Sequence, residues 1–262
     1  MSERSAFCRF SVSLAGIGLF LALPLCAEQP PERVPQTLLG QQGAALWRAI
    51  AEANVIYVGE THDKQSDHAY ELRLIRDMIR RRLAFSIGWE MFDQTQQASL
   101  DAWDRDAISL RQLFRDTGFD RGWAVYSQIY GKILETAQRS RRNNVALNAP
   151  PDLVRKVARG RSLSRQEKAL LPRGFTTSRA AYRNFVSLMG NHPGLSVGHL
   201  RSFFAAQNVW DQTMADRILR FEQRQSGVQL VVLIGRGHVA NGFGIPFYVG
   251  QKGALQQLIL LP

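Results

Sequence analysis

The chain has almost no cysteine. Its 262 residues contain two, Cys8 and Cys26, both near the N-terminus. Beyond residue 26 no disulfide, Cys-based metal site or thiol nucleophile can form. Lysine is scarce as well: Lys64, Lys132, Lys156, Lys168 and Lys252 are the only five, against 28 Arg. Arg is the side chain suited to bidentate contact with carboxylate or phosphate. The common site signatures are missing too. There is no HExxH, no GxSxG elbow, no P-loop and no GxGxxG fingerprint. Gly235-x-Gly237 followed by Gly242 has the wrong spacing for a dinucleotide. What remains is globular: 45% hydrophobic and 21% charged residues rule out a disordered chain. The length suits one large domain, or one domain with a smaller inserted lobe.

Residues 1–27 read as an export signal. Arg4 and Arg9 give a positive start, and residues 10–25 form an apolar stretch short for a membrane span. Cys26-Ala27 then precedes the polar Glu28-Gln29-Pro30-Pro31. Cleavage after Ala27 is the favoured reading. Acylation of Cys26 is the alternative, with Leu25 standing where a lipobox takes Gly, Ala or Ser. An uncleaved N-terminal anchor is the third. Removing residues 1–27 leaves 31 basic against 21 acidic residues and no Cys. Export also takes nucleic acid off the list of partners that a pI near 10.3 suggests.

Residues 28–42 are Pro- and Gln-containing and read as a linker, leaving 43–262 as the folded part. Apolar, β-branched runs at 54–58, 84–89, 145–147 and 229–234 read as buried strands, and 255–261 as an edge strand. Helical periodicity separates them at 43–53, 66–83 and about 200–225. This alternation predicts an α/β fold: a mostly parallel central sheet flanked by helices. The helical stretches at 93–140 and 160–200 are longer than crossovers need, so part of them is assigned to a smaller helical lobe. No internal repeat is present.

Three predicted strands end in ionisable residues: Gly59-Glu60-Thr-His62-Asp63, Trp89-Glu90, and Gly235-Arg236-Gly-His238. In an open parallel sheet, ligands bind outside the carboxyl ends of the strands. Glu60, His62, Glu90 and His238 therefore converge on one edge. Two carboxylates and two imidazoles suit a divalent metal or an acid/base pair, with Glu60 and Glu90 as the catalytic carboxylates. His68 opens the first long helix close behind them. Gln207 and Asp211 share a face of the late helix, one turn apart. Trp210 with Met214, and Trp123 with Tyr126 and Tyr130, read as core stripes. His192 and His199 flank Pro193-Gly194, and an exposed His or Tyr is what a haem iron needs.

The positive charge is local. Residues 139–173 carry ten basic side chains against Asp152 and Glu167. In an exported protein the natural partners of such a stretch are an anionic membrane surface, an acidic protein or haem propionates.

The motifs as an ordered set resemble the ChaN-like haem-binding family. They are Val55-Ile-Tyr-Val-Gly-Glu60-Thr-His62-Asp63 with His68, Trp89-Glu90-Met-Phe-Asp-Gln94 and Asn148-Ala-Pro. They continue in Ala206-Gln207-Asn-Val-Trp-Asp211-Gln-Thr-Met214-Ala, Gly235-Arg-Gly-His238-Val and Gly242-Phe-Gly244-Ile-Pro246. No single motif decides; the order does, from residue 54 to 246. The wider superfamily includes Tiki/TraB-type metalloproteases and erythromycin-esterase-like proteins, which share the Gly-Glu-x-His and late His landmarks. The resemblance implies an exported, often lipid-anchored envelope protein of haem-iron acquisition. Haem transporter or receptor components would be its partners. It implies a parallel α/β domain with a small helical one. It also implies haem in a pocket that a second subunit can complete, with Tyr on the iron. Here the chain departs from the family. Asn241 and Phe243 stand where members often carry Tyr between the late His and the Gly-Ile-Pro. Tyr248, His192 or His199 would then substitute, with Arg236 and other arginines for the propionates. On this reading the protein binds haem and is not an enzyme. The alternative is a metal-dependent hydrolase using Glu60, His62, Glu90 and His238.

Overall fold

The structure, a computed structural model, describes residues 36–39, 43–123, 126–177, 179–189, 197–240 and 244–262. The export segment with Cys26, and His192, Asn241 and Phe243, lie outside the described residues. In chain order the elements are β1 (Gln36–Leu39), α1 (Ala44–Glu52), β2 (Val55–Glu60), α2 (Gln65–Arg80) and β3 (Phe85–Asp93). Four helices follow, α3 (Gln97–Asp104), α4 (Leu110–Thr117), α5 (Phe119–Gly122) and α6 (Ser127–Arg139), and then β4 (Asn144–Asn148). Next come α7 (Pro151–Ala158), α8 (Arg165–Ala169), α9 (Arg179–Met189) and the long α10 (Val197–Arg224). The chain closes with β5 (Gln229–Gly235), α11 (Ile245–Lys252) and β6 (Gln257–Leu261).

The six strands form one parallel sheet in the order β1-β6-β2-β5-β3-β4. The fold is α/β, as expected. Strands buried on both faces need apolar side chains at every position, and the residues of β2 and all of β5 after Gln229 are buried. Their alternation divides the core in two. Val231 and Leu233 of β5 face one layer, with Ile56, Val58, Ile87 and Trp89. Leu230, Val232 and Ile234 face the other, with Val55, Tyr57 and Ile259.

Three segments differ from the sequence reading. Residues 36–39, inside the segment read as linker, form β1, which pairs with β6 from Gln36↔Leu258 to Leu39↔Leu261. The last strand is therefore not at the edge, because β1 covers it. Helices α3 to α6 do not stand apart as a lobe. Leu100, Trp103, Leu113, Phe119 and Ile133 join the same core as Ile56 and Trp89. On the other face, Met214 and Ile218 of α10 and Ile245 and Phe247 of α11 cover the sheet. A small third cluster, Ala149, Val154, Ala206 and Val209, joins α7 to α10. Among the described residues no helix is long and apolar enough to cross a membrane.

Glu222 of α10 has a buried Oε1 without a partner, and burial pushes its carboxyl up to about 7. A raised folded-state pKa means stability that is complete below the unfolded value, near 4.5, and is lost as pH rises through the folded one. Glu222→Gln is therefore expected to change the urea midpoint little below about pH 4.5 and to raise it above neutrality. An equal shift at both pH values would show that the charge is not the cause.

Candidate functional site

The strand order puts β5 between β2 and β3, so the three strand ends singled out in the sequence become neighbours. Glu60 lies opposite Gly235 in the register, and Trp89, just before Glu90, lies opposite Leu233. The carboxyl edge of the sheet thus gathers Glu60, His62, Glu90 and His238 in one region, with His68 below it on α2. They do not point at one centre. They sort into two joined groups.

The inner group surrounds Glu60, which is 1% exposed. His62 Nδ1 donates to its Oε1 at 2.7 Å, and the Tyr130 hydroxyl donates to the same oxygen at 2.5 Å. His68 Nδ1 lies 2.7 Å from the other oxygen, Oε2, and 3.0 Å from Glu71 Oε2. The other nitrogen of His68 donates to the His62 carbonyl at 2.8 Å. Both ring nitrogens of His68 therefore face acceptors, which calls for the imidazolium. Burial opposes that charge, but the hydrogen bonds to Glu60 and Glu71 and the charge of Glu60 outweigh it and hold His68 at about 10. The same contacts decide Glu60. Burial favours its neutral form, yet the bonds from His62, His68 and Tyr130 hold its carboxyl at about 2. Glu71, wholly buried, is pushed well above the carboxylate range by that burial.

The outer group forms the mouth. His238 lies just past β5, with Nδ1 2.5 Å from Asp211 Oδ1 and Nε2 3.3 Å from Glu90 Oε1. Despite burial, Glu90 and Asp211 raise it to about 10. Glu90 accepts the Gly235 N–H at 2.6 Å on its second oxygen. Burial opposes ionisation of Glu90, but the charge of His238 holds its pKa below the usual value. Gln207 donates to Asp211 at 3.2 Å, so these two α10 residues act together, as their spacing suggested. His62 is the half-exposed member, its side chain 36% accessible. Its Nε2 is 4.0 Å from Glu90 Oε1, and Trp123 meets its ring edge-on at 5.0 Å. Hydrogen bonding to Glu60 raises the His62 pKa.

Two glycines are required here. A Cβ on Gly235 would stand 2.9 Å from His62 Nε2, so glycine leaves the imidazole room above the strand end. Gly244 has φ +75°, and a Cβ there would meet the His238 carbonyl at 2.3 Å.

The other residues singled out in the sequence lie elsewhere. Arg236 turns to Asp67 at 3.3 Å, and Asp67 also accepts the Thr61 N–H, so this pair pins the loop after β2. Tyr248 is 4% exposed, and its hydroxyl donates to Asn208 Oδ1 at 2.6 Å. It is a packing residue, closed off from an iron atom. His199 is exposed on the first turn of α10. Glu71, Tyr130 and Trp123 join the site without having been singled out as site residues. Glu71 was legible only as the i+3 neighbour of His68. Tyr130 was read as core, which it is; its hydroxyl is the exception.

These features define a parallel α/β protein with an acid–histidine site on the carboxyl edge of its sheet. The family follows: residues 46–249 match the model of haem-binding uptake proteins, Tiki superfamily, ChaN, and the chain belongs to that family. Among solved structures it is similar to ChaN of Campylobacter jejuni with cofacial heme binding, at 18% identity and a TM-score of 0.65. That match covers 83% of this chain and 84% of the other. It is also similar to a mutant of the erythromycin esterase EreC in its open conformation, at 14% identity and a TM-score of 0.50. There the cover is 83% of this chain and 71% of the other. At such identities the likeness is one of fold. No curated protein matches the chain.

The inner group yields a test. Tyr130→Phe removes one of the donors on a buried carboxylate and adds no bulk. Stability is expected to fall by about 1–3 kcal/mol, measured by urea unfolding. An unchanged midpoint would mean that Glu60 does not rely on this hydroxyl.

Proposed function

We propose that this protein is exported and binds haem as part of haem-iron acquisition at the cell envelope. The observation that carries the reading is the family match, which spans 204 of 262 residues, from residue 46 to 249. Export rests on the N-terminal pattern of Arg4, Arg9 and the apolar run before Ala27.

A haem needs an apolar face for the macrocycle and an accessible nitrogen or oxygen for the iron. The inner group fails on access, and Tyr248 is closed by Asn208. A cavity lined by Ala181, Phe185, Phe204, Gln207 and Tyr248 measures about 40 Å³, too small to enclose a porphyrin. The outer face of α10 fits. Phe203, a large apolar side chain, is 52% exposed there. His199 is exposed too, and it shares a face with Phe203 four residues on. His199 would hold the iron and Phe203 would lie against the ring. Haem supplies its own iron chemistry; the chain supplies a donor and an apolar surface. A second copy of the chain would complete the cover, and the basic stretch at 139–173 would face an anionic membrane.

Purified protein titrated with haemin is expected to give a saturable Soret shift in the micromolar range, and His199→Ala to weaken it about tenfold or more. An outer partner of a metal ligand is already worth about 10–100-fold in affinity, so a directly bonded donor is worth at least that. No shift in the wild type would end the haem reading. A shift unchanged in His199→Ala but lost in His62→Ala would move the iron to the mouth.

One observation favours a second reading. Asp211, His238 and Glu90 form a bonded line, and His62 faces the same Glu90 oxygen. A metal-dependent hydrolase would use His62, Glu90 and His238 around one ion, with Glu60 behind His62 as the orienting carboxylate. Protein loaded with Zn²⁺ or Mn²⁺ would then hydrolyse an activated ester, and His238→Ala would lose about 10²-fold or more of that rate. Hydrolysis no faster than with metal alone counts against it.

A further inference from the structure

We propose that Glu60, His68 and Glu71 form a buried site for one divalent metal ion, one layer beneath the mouth. The three side chains are 1%, 2% and 0% exposed. Glu60 comes from the end of β2, and His68 and Glu71 lie one turn apart at the start of α2. One ligand atom from each lies within 4.8 Å of the others. The close pairs are tighter: 2.7 Å from His68 Nδ1 to Glu60 Oε2, and 3.0 Å from it to Glu71 Oε2. Atoms that share an ion at about 2.0–2.2 Å, with angles near 90°, stand about 3 Å apart.

Hydrogen bonding alone leaves the group short. His68 Nδ1 has one proton, and two carboxylate oxygens approach it. Glu71 Oε1 is buried with no hydrogen-bond partner. Glu60 Oε2 meets only His68 and the buried carboxyl of Glu71. Its other oxygen is fully used by His62 and Tyr130. A buried carboxylate oxygen without a donor is costly. A cation answers all of these atoms at once. The two carboxylates and a neutral imidazole balance a 2+ charge.

The surroundings are those of a ligand set. The His68 Nε2–H donates to the His62 carbonyl, which fixes the ring and aims Nδ1 inward. Metal-bound histidines carry such an outer bond as a rule. One nitrogen with carboxylate oxygens suits Zn²⁺, Mn²⁺ or Fe²⁺. The ion would tie β2 to α2 and hold Glu60, and through it His62, in place. It is separate from any ion on His62, Glu90 and His238, and it does not depend on the mouth's ligand.

The test uses the full chain, produced without chelators or a His tag and analysed by elemental mass spectrometry. One Zn, Mn or Fe per chain is expected. Chelation should lower the melting temperature, and the same metal should restore it. Glu71→Gln should weaken binding about tenfold or more, while His238→Ala should keep it. Where Glu71→Gln fails to fold, spin-echo spectroscopy of the Mn²⁺-loaded wild type replaces it. It should count one imidazole nitrogen on the ion; two would place the ion at the mouth. A metal-free chain whose melting temperature ignores added metal overturns the proposal. So does binding that survives Glu71→Gln and is lost in His238→Ala.

Discussion

The carboxylate of Glu60 is the constraint around which this molecule is arranged. A charge buried at a strand end is tolerated only when donors replace the water it has lost. The donors come from three directions: His62 from the loop after β2, His68 from α2, and Tyr130 from α6. Each of those elements is thereby fixed relative to the sheet. Tyr130 brings α6 down onto the sheet's face, where Ile133 and Leu134 bury themselves in the same core as Trp89. His68 brings in Glu71, and Glu71 brings a second carboxyl group into the same buried space. The order of the inner group and the packing of that face of the sheet are therefore one problem.

Much of this was legible in the sequence, and what was not has physical reasons. Strands β2 and β5 are continuous apolar runs because they are covered on both faces, and such runs need no alternation to be recognised. Strand β1 is the opposite case. Gln36-Thr-Leu-Leu39 is short and sits among Pro and Gln, and its only partner, β6, lies more than 200 residues away. Nothing local marks it. The periodicity of 93–140 showed helices correctly. It held no information about which surface their apolar faces meet, and so a lobe and a sheet cover looked alike. At the site, the strand-end residues announced themselves by position. Glu71 and Tyr130 did not, because a carboxylate on a helix and a tyrosine in an aromatic stripe have ordinary uses.

The two histidine groups differ in what they can offer. His68 and His238 each bridge two carboxyl groups and stay protonated well past neutrality. Neither is a free base or a free ligand while those protons remain. His62 is different. Its Nδ1 is held by Glu60, and its Nε2 faces the half-open mouth above Gly235 with no hydrogen bond closer than the 4.0 Å approach of Glu90. The mouth therefore has one adaptable imidazole and one locked one. That asymmetry follows from which histidine sits between two carboxylates, and it was not apparent from the motifs, where both end a strand after glycine.

The same reasoning separates the family's skeleton from its cargo. The skeleton is the parallel sheet and its acid–histidine edge, and it is built from residues that are buried and fully engaged. Such residues tolerate little change, because each substitution leaves a partner unsatisfied. A haem iron needs the reverse: a donor that is exposed and able to approach. On the reading proposed above, that donor is His199 on the first turn of α10, off the buried network. A family can therefore keep its inner edge and move its iron ligand. On the haem reading proposed above, Asn241 and Phe243 would mark such a move in sequence, and His199 beside the exposed Phe203 would mark it in structure.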